Sequence, residues 1–406
     1  MESMVQGQLK SYAGVSKSLN EQNLTPVKSP PMHHPTEKED GPPPTPIAPA
    51  KRIGYALVGL GKLTLEQILP AFGSCKYSKV VALVSGDPEK AANVARQYGV
   101  SPSAIYTYQN FDSIKNNPDI DVVYIVLPNS MHAEYTIRSA KAGKHVLCEK
   151  PMATSSKDAQ KMIDACKDAG KKLMIAYRIQ YEPHNRMIQS WVRENKYGKA
   201  RLIEATNVQN SGDGNQWRLK KELAGGGSLP DIGLYCLNTS RFLLGEEPEW
   251  VSATVFSTPG DLRFTDVEES VLFQVRFPGG TLINCSCSYG VHDSKRYRVF
   301  ADKGGWYGMD PAFPYKGLKM EVSHAEGKVE WKENPSLGEK DQFSLEIDHM
   351  SRCVLENKTP YTPGEEGLQD QVIMEAIYES ARLGKPVTLK KIDGIDVFRG
   401  SAPSDE

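Results

Sequence analysis

Lys150 closes the run Cys148-Glu149-Lys150-Pro151, which directly follows the apolar stretch KHVL. A charged side chain at a strand end, with a proline behind it, is aimed rather than free. A second cluster, Gly225-Gly226-Gly227-Ser228-Leu229-Pro230-Asp231-Ile232-Gly233-Leu234-Tyr235, has the glycines of a mobile or tightly turned loop and then starts a helix. Asp231 and Tyr235 are four residues apart and so share one helical face. These types suit one kind of chemistry. Removing a hydride from an alcohol carbon needs a base at the hydroxyl. An ordinary tyrosine, with a pKa of ~10, is too weakly acidic for that role at neutrality, but a neighbouring ammonium favours its phenolate. Lys150 beside Tyr235 would meet the requirement. The spacing also allows a plainer arrangement, in which Asp231 only caps the helix and Tyr235 packs in the core.

A hydride needs an acceptor, and the start of the folded sequence offers a place for one. Gly59-Leu60-Gly61-Lys62-Leu63-Thr64 follows the apolar run IGYALV and opens a helix-like LEQILPAF. The two glycines suit a tight turn and close approach of backbone to a pyrophosphate, which would rest on amides at the helix N-terminus. Thr64 stands where a third glycine is usual. Further on, the chain reads Val84-Ser85-Gly86-Asp87-Pro88-Glu89-Lys90. A site selective for NAD carries a carboxylate here to accept from the ribose hydroxyls. Asp87 before proline reads instead as a helix cap. Ser85, the Gly86 amide and Lys90 can donate to a 2′-phosphate, so the expected cofactor is NADP(H).

The elements that must position these groups follow from periodicity. From Arg52, short apolar runs (IGYALVG, KVVALVSG, DVVYIVLPNS, KHVLCEKP, KKLMIAYRIQ) alternate with helix-like segments of 10–15 residues. Strands apolar throughout imply a parallel sheet covered on both faces, so a doubly wound, Rossmann-type α/β domain is expected over 52–175. Beyond about residue 200, strands dominate: RLIEATNVQN, EWVSATVFST, ESVLFQVRFP, TLINCSCSYG and RYRVFADKG, with helices from Phe343 to about Asn357 and from Leu368 to Leu383. The expectation for 176–390 is an α+β domain with a large open, mostly antiparallel sheet carrying helices on one face. Its uncovered face is a natural oligomer interface, serving a homodimer or homotetramer. Residues 391–406 read as a tail. Residues 1–51 form a segment apart, because nine of the 27 prolines fall in the first fifty residues. It is either a disordered tail or an extended arm docking on a neighbouring subunit.

Whole-chain numbers bound the rest. At 406 residues the chain exceeds the ~250–300 at which one core stops growing. With 49 basic and 50 acidic residues it lacks the positive excess that nucleic acid or a membrane surface requires. No run of 18 or more apolar residues occurs, and the first twenty residues show no export signal, so a cytoplasmic location is expected. Seven cysteines, an odd number with no C-x-x-C, suggest buried thiols rather than disulfides or zinc. His33-His34 is weak evidence for a metal, and none is expected.

Taken together, GLGK with LEQILPAF, LVSGDPEKA, LPNSMHAEYTIRSAKAGKHVLCEKPMATS, LMIAYRIQYEPHNR, QWRLKKELAGGGSLPDIGLY and TPGEEGLQD resemble the Gfo/Idh/MocA oxidoreductases, and within them the glucose–fructose oxidoreductase group. The likeness runs from about Gly54 to Val387. The E-K-P run paired with D-x-G-x-Y is specific to that family. The resemblance implies Lys150 and Tyr235 as the catalytic pair, with Asp231 positioning a sugar. It implies NADP(H) held tightly enough to be reduced and reoxidised in place. It adds Tyr108, Leu127, Pro128, Asn129, His132, Glu149, Arg178, Trp217, Arg218 and Tyr315 to the cofactor site, beside Gly59, Leu60, Gly61, Lys62, Leu63, Ser85, Gly86 and Lys90. In that group a proline-rich arm reaches the neighbouring subunit's cofactor, which favours the arm here. The chain departs from it in lacking a twin-arginine signal and in the arm's sequence. The activity implied is hydride transfer from C1 of an aldose, giving an aldonolactone, to bound NADP and on to a second sugar, giving a polyol. An NADP-dependent aldose 1-dehydrogenase with exchangeable cofactor is the alternative. A non-catalytic NADP-binding sensor on the same fold is a third possibility.

Overall fold

The computed structural model of the protein describes residues 51–403, together with Ala48. The proline-rich arm expected at 1–51, including His33-His34, lies almost wholly outside the described residues. Contacts divide the chain between Ala48 and Pro49, and the larger unit holds two sheets.

The first sheet contains six parallel strands: β1 (Ile53–Val58), β2 (Ser78–Val84), β3 (Ile105–Tyr106), β4 (Val122–Ile125), β5 (His145–Glu149) and β6 (Leu173–Ala176). Their order is β3-β2-β1-β4-β5-β6, so the winding reverses between β1 and β4, where such sheets bind ligands. Every side chain of β1 is buried, as expected for a strand covered on both faces. Local chemistry sets the helices between strands. The helix α1 (Pro88–Tyr98) starts with Asp87 accepting from the Lys90 amide at 3.0 Å, has proline in its first turn, and ends at Gly99 with φ +69°. Two further helices, α2 (His132–Lys141) and α3 (Ser156–Asp168), continue the winding. Strand β6 ends at Ala176, one residue past the expected domain boundary.

After α4 (Pro183–Arg193) the chain builds a nine-stranded sheet. Its strands are β7 (Ala200–Asn210), β8 (Trp250–Phe256), β9 (Ser270–Arg276), β10 (Leu282–Ser288), β11 (Gly290–Ala301), β12 (Gly305–Met309), β13 (Met320–Glu326), β14 (Val329–Glu333) and β15 (Val387–Thr388). All neighbours pair antiparallel except β10 with β7. Period-2 patterning holds along β10: Ile283, Cys285 and Cys287 are buried, whereas Leu282 and Asn284 are exposed. Helix α5 (Leu234–Leu244) packs on the buried face, against β7 and β10. On the other face Phe256, Leu272 and Leu282 are exposed.

The last two helices are α6 (Gln342–Leu355) and α7 (Gly364–Leu383). Their places differ from the sequence expectation. Helix α6 returns to the first sheet, where the Tyr55 hydroxyl donates to the Ile347 carbonyl at 2.9 Å. Helix α7 packs against both α3 and β8. Arg241 on α5, wholly buried, joins Glu247 at 2.7 Å, Glu366 at 2.8 Å and Asp370 at 2.6 Å, and Arg399 reaches the same Glu366 at 2.6 Å. Within the segment expected as a tail, Arg399 is thus bound to the body of the fold. All seven cysteines are free and buried. Among the described residues no helix is long and apolar enough to cross a membrane.

Candidate active site

Lys150 extends from the C-terminal end of β5, and Asp231 and Tyr235 come from the start of the α5 segment. That segment is tightly turned. Gly225 has φ +81°, and the carboxylate of Glu268 accepts from the Gly227 and Leu229 amides at 2.8 and 2.9 Å. A Cβ on Gly227 would lie 2.0 Å from the Glu268 carbonyl oxygen, so only glycine fits there. Leu229–Gly233 then forms a π-helical turn before α5 begins, a distortion common at functional sites.

The three groups meet. Lys150 Nζ donates to the Asp231 carbonyl at 2.8 Å and to its Oδ1 at 3.0 Å, and lies 4.6 Å from the centroid of the Tyr235 ring. Asp231 makes no capping bond to the helix. Its Oδ2 accepts from the Tyr289 hydroxyl at 2.6 Å and pairs with Arg218 Nε at 3.1 Å. Burial alone would raise the Asp231 carboxyl, but Lys150, Arg218 and the Tyr289 hydrogen bond hold it far below the usual carboxylate range. Burial alone would lower the Lys150 ammonium, but Tyr235, Asp231 and Glu149 carry it above the ordinary lysine value.

The ammonium faces the Tyr235 ring, and a different cation meets the hydroxyl. Arg178 Nη2 donates to Tyr235 Oη at 3.1 Å and to the Phe313 carbonyl at 2.6 Å. Its Nη1 donates to the Pro314 carbonyl and to Gln342 Oε1. The residue assigned to the cofactor by resemblance is thus engaged with the tyrosine. Tyr315 stacks beneath the same guanidinium, 4.7 Å from ring centroid to Cζ.

The dinucleotide segment fits its expected ligand. Gly59 has φ +97°, and a Cβ there would come 2.2 Å from the Val126 carbonyl oxygen. A Cβ on Gly61 would meet nothing within 4 Å, which leaves open space where a phosphate would lie. Thr64, in the place of the third glycine, closes the turn by donating its hydroxyl to the Gly59 carbonyl at 2.6 Å. Leu60 is buried in the core, while Lys62 is exposed and Leu63 packs at the core's edge. At the end of β2, Ser85 is buried and accepts from the Asp87 amide at 3.0 Å, leaving its own proton to donate. The Asp87 carboxylate is committed to its capping bond. The Lys90 ammonium lies 3.9 Å from Asp87 on the surface. Tyr108 packs its ring edge against Gly86 and so walls this loop.

Other expected cofactor residues also have contacts within the protein. His132 is enclosed, with Nδ1 and Nε2 each 2.9 Å from a backbone carbonyl, of Pro151 and Leu127 respectively. Asn129 is buried and donates to the Ala224 carbonyl at 2.9 Å. His132 ties the Leu127-Pro128 segment to the E-K-P run, and Asn129 ties it to the end of the Lys221–Ala224 turn. Arg218 lies over the Trp217 ring with its Nε on Asp231. Glu149 accepts from the Tyr124 hydroxyl at 2.9 Å. Sequence reasoning missed Tyr289, Gln342, Phe313, Tyr124 and Glu346. Tyr289 and Phe313 give no local signal. Glu346 does, as an acid on the apolar stripe of Phe343, Ile347 and Met350.

Comparison with known proteins identifies the family. Residues 53–177 match the model described as "Oxidoreductase family, NAD-binding Rossmann fold", and residues 185–307 match the GFO/IDH/MocA C-terminal domain. The chain is 34% identical over 343 residues to D-xylose 1-dehydrogenase (NADP(+)) of Haloarcula marismortui, covering 83% of this chain and 93% of the relative. Among solved structures, aldose-aldose oxidoreductase from Caulobacter crescentus, complexed with glycerol, superposes with a TM-score of 0.80 at 44% identity. The match covers 83% of this chain and 100% of that one. A levoglucosan dehydrogenase complexed with NADH superposes with a TM-score of 0.75, covering 84% of this chain and 100% of the other; at 24% identity it shows the fold alone. The chain belongs to the Gfo/Idh/MocA family and is an oxidoreductase.

Proposed function

We propose that the protein is an NADP-dependent sugar oxidoreductase. It takes hydride from C1 of an aldose, releases an aldonolactone, and returns the hydride to a second sugar, a ketose or another aldose, without releasing the cofactor. The observation that carries this reading is the contact of Lys150 with both Asp231 and the Tyr235 ring at the end of a dinucleotide-binding sheet. NADP, when bound, supplies a nicotinamide that accepts and returns the hydride. Gly59, Leu60, Gly61, Lys62 and Leu63 would hold its pyrophosphate, and Ser85, Gly86 and Lys90, walled by Tyr108, its 2′-phosphate.

This chain's residues perform the proton chemistry. Tyr235, as the phenolate, takes the proton of the sugar's C1 hydroxyl as the hydride departs and becomes the phenol, and the phenol gives that proton to the carbonyl oxygen of the second sugar as the hydride returns. Lys150 and Arg178 hold that phenol from two sides and bring positive charge to where negative charge develops. Asp231, ionised and acceptor-only, orients the sugar by accepting from its hydroxyls. The relative named aldose-aldose oxidoreductase, at 44% identity, supports two sugars rather than one.

A second reading has its own support. The Haloarcula relative is named as a D-xylose 1-dehydrogenase that uses NADP(+), which favours an aldose 1-dehydrogenase that exchanges its cofactor each cycle. A mixed-sugar assay on the purified full chain, with no cofactor added, separates the two. Turnover of an aldose and a ketose together, with absorbance from bound NADPH, is expected. Activity that appears only on adding NADP would select the dehydrogenase.

The exposed face of the nine-stranded sheet is proposed as a homo-oligomer interface, because Phe256, Leu272 and Leu282 would otherwise leave a flat apolar surface wet.

A further inference from the structure

Behind Lys150 lies a cluster that the proposed chemistry does not use. The Tyr124 hydroxyl, buried on β4, is 2.9 Å from Glu149 Oε1 and 3.3 Å from Glu346 Oε1. Glu346 comes from α6 and is wholly buried, and its second oxygen, Oε2, has no hydrogen-bond partner. A phenol has one proton and can donate to only one carboxyl at a time. If both acids were ionised, the second contact would set an oxygen lone pair against a buried carboxylate. The contacts are satisfied together only when one acid carries a proton, donates it to Tyr124, and Tyr124 donates onward to the other.

The surroundings decide which acid is protonated. Glu149 adjoins the Lys150 ammonium and the Arg178 guanidinium, with Tyr315 farther out. Glu346 has Arg178 as its cation, but also faces the Glu149 carboxylate, Tyr181 and the Asp341 carboxylate at the start of its own helix. Burial pushes both carboxyls up, and Glu346 much further, because Glu149 adds to the push there while Lys150 opposes it at Glu149.

We infer that Glu346 is a neutral carboxylic acid that donates through Tyr124 to an ionised Glu149, making Glu149 the permanent second counter-ion of Lys150. The consequence concerns Asp231, the other counter-ion. When a sugar's hydroxyls compete for the Asp231 carboxylate, Lys150 keeps a compensating anion beside it and stays protonated against the Tyr235 ring. Glu346 and Tyr124 are positioning residues in this scheme, acting on the reaction through Glu149 and Lys150. The effect on turnover rests on the proton chemistry proposed above, whereas the protonation of Glu346 does not.

Infrared spectroscopy of the full chain at neutral pH tests the protonation without turnover. A carboxylic-acid C=O band that disappears in Glu346→Gln is expected. The absence of any such band in the unmodified protein overturns the inference, and so does a band that Glu346→Gln leaves intact. The pH profile of kcat/KM tests the consequence. Tyr124→Phe removes the donor that stabilises the Glu149 anion, so the acid limb should move to higher pH by roughly one unit. A variant that loses thermal stability while keeping the acid limb in place would reduce Tyr124 to a packing role and overturn the inference.

Discussion

Tyr235 offers its ring to one cation and its hydroxyl to another, Lys150 on the face and Arg178 at the oxygen. A phenol so held is fixed in direction, which matters more to proton transfer than proximity alone. Tyr235→Phe should lower kcat by about 100-fold or more, the range for losing a positioned acid–base group. Binding of NADP should remain, as read by titrating the purified variant with the cofactor. Unchanged turnover would remove the assignment. Asp231 carries a different prediction. Its carboxyl is ionised down to strongly acid pH, since Lys150, Arg218 and Tyr289 outweigh its burial. Because its folded value is depressed, the stability it contributes is present above about pH 3.9, the unfolded value, and is lost only as the pH falls further. The acid limb of activity should therefore survive in Asp231→Asn while KM for the sugar rises. A limb that vanished with this carboxylate would show that it titrates in the working range.

At the scale of elements, two backbone devices position the site. The turn after β1 exists because Gly59 adopts a positive φ against the Val126 carbonyl. Gly59→Ala should abolish NADP binding or folding, measured by cofactor retention and circular dichroism, and a variant that bound normally would contradict the close approach. Helix α6 carries a second prediction, from His349. Its Nε2 accepts from the Tyr361 amide at 2.9 Å, and burial, with Arg352 and Arg186 nearby, lowers its pKa to about 4. A buried neutral histidine binds its proton less readily than the unfolded chain does. Stability should therefore fall as the pH drops from about 6.5 to about 4, by on the order of 3 kcal/mol. Urea unfolding at stepped pH measures it: His349→Gln should remove this share of the acid dependence and leave that of His145 and His132, whose pKa values burial also lowers.

Across the unit from Pro49 onward, α6 ties the later part of the chain back to the parallel sheet through Tyr55, and the Arg241 ion network ties α5, α7 and Arg399 together. The open face of the nine-stranded sheet remains. Leu272→Glu places a charge in the middle of it. Sedimentation should show a smaller species than the unmodified protein, with the fold unchanged by circular dichroism. Identical sedimentation for both would move the interface elsewhere or make the protein monomeric.

Much of this organisation was legible without coordinates. Strands apolar throughout, alternating with capped helices, can bury both faces only as a parallel sheet. A glycine pair between a strand and a helix has few other uses; Asp231 and Tyr235 stood out because they are four residues apart, and Lys150, 81 residues from Asp231, was joined to them by the resemblance of the two motifs. Period-2 patterning marked the broad sheet but not β12 to β14: β12 buries three residues in succession, Tyr307, Gly308 and Met309, and β14, at the edge, is exposed throughout, so neither alternates. What the sequence could not place were partners far apart along the chain. Tyr289 on Asp231, Arg178 on Tyr235 and Glu346 on Tyr124 are joined across 58, 57 and 222 residues. Periodicity reports which face of an element is buried, and only the packing of one element on another decides which side chains share a proton.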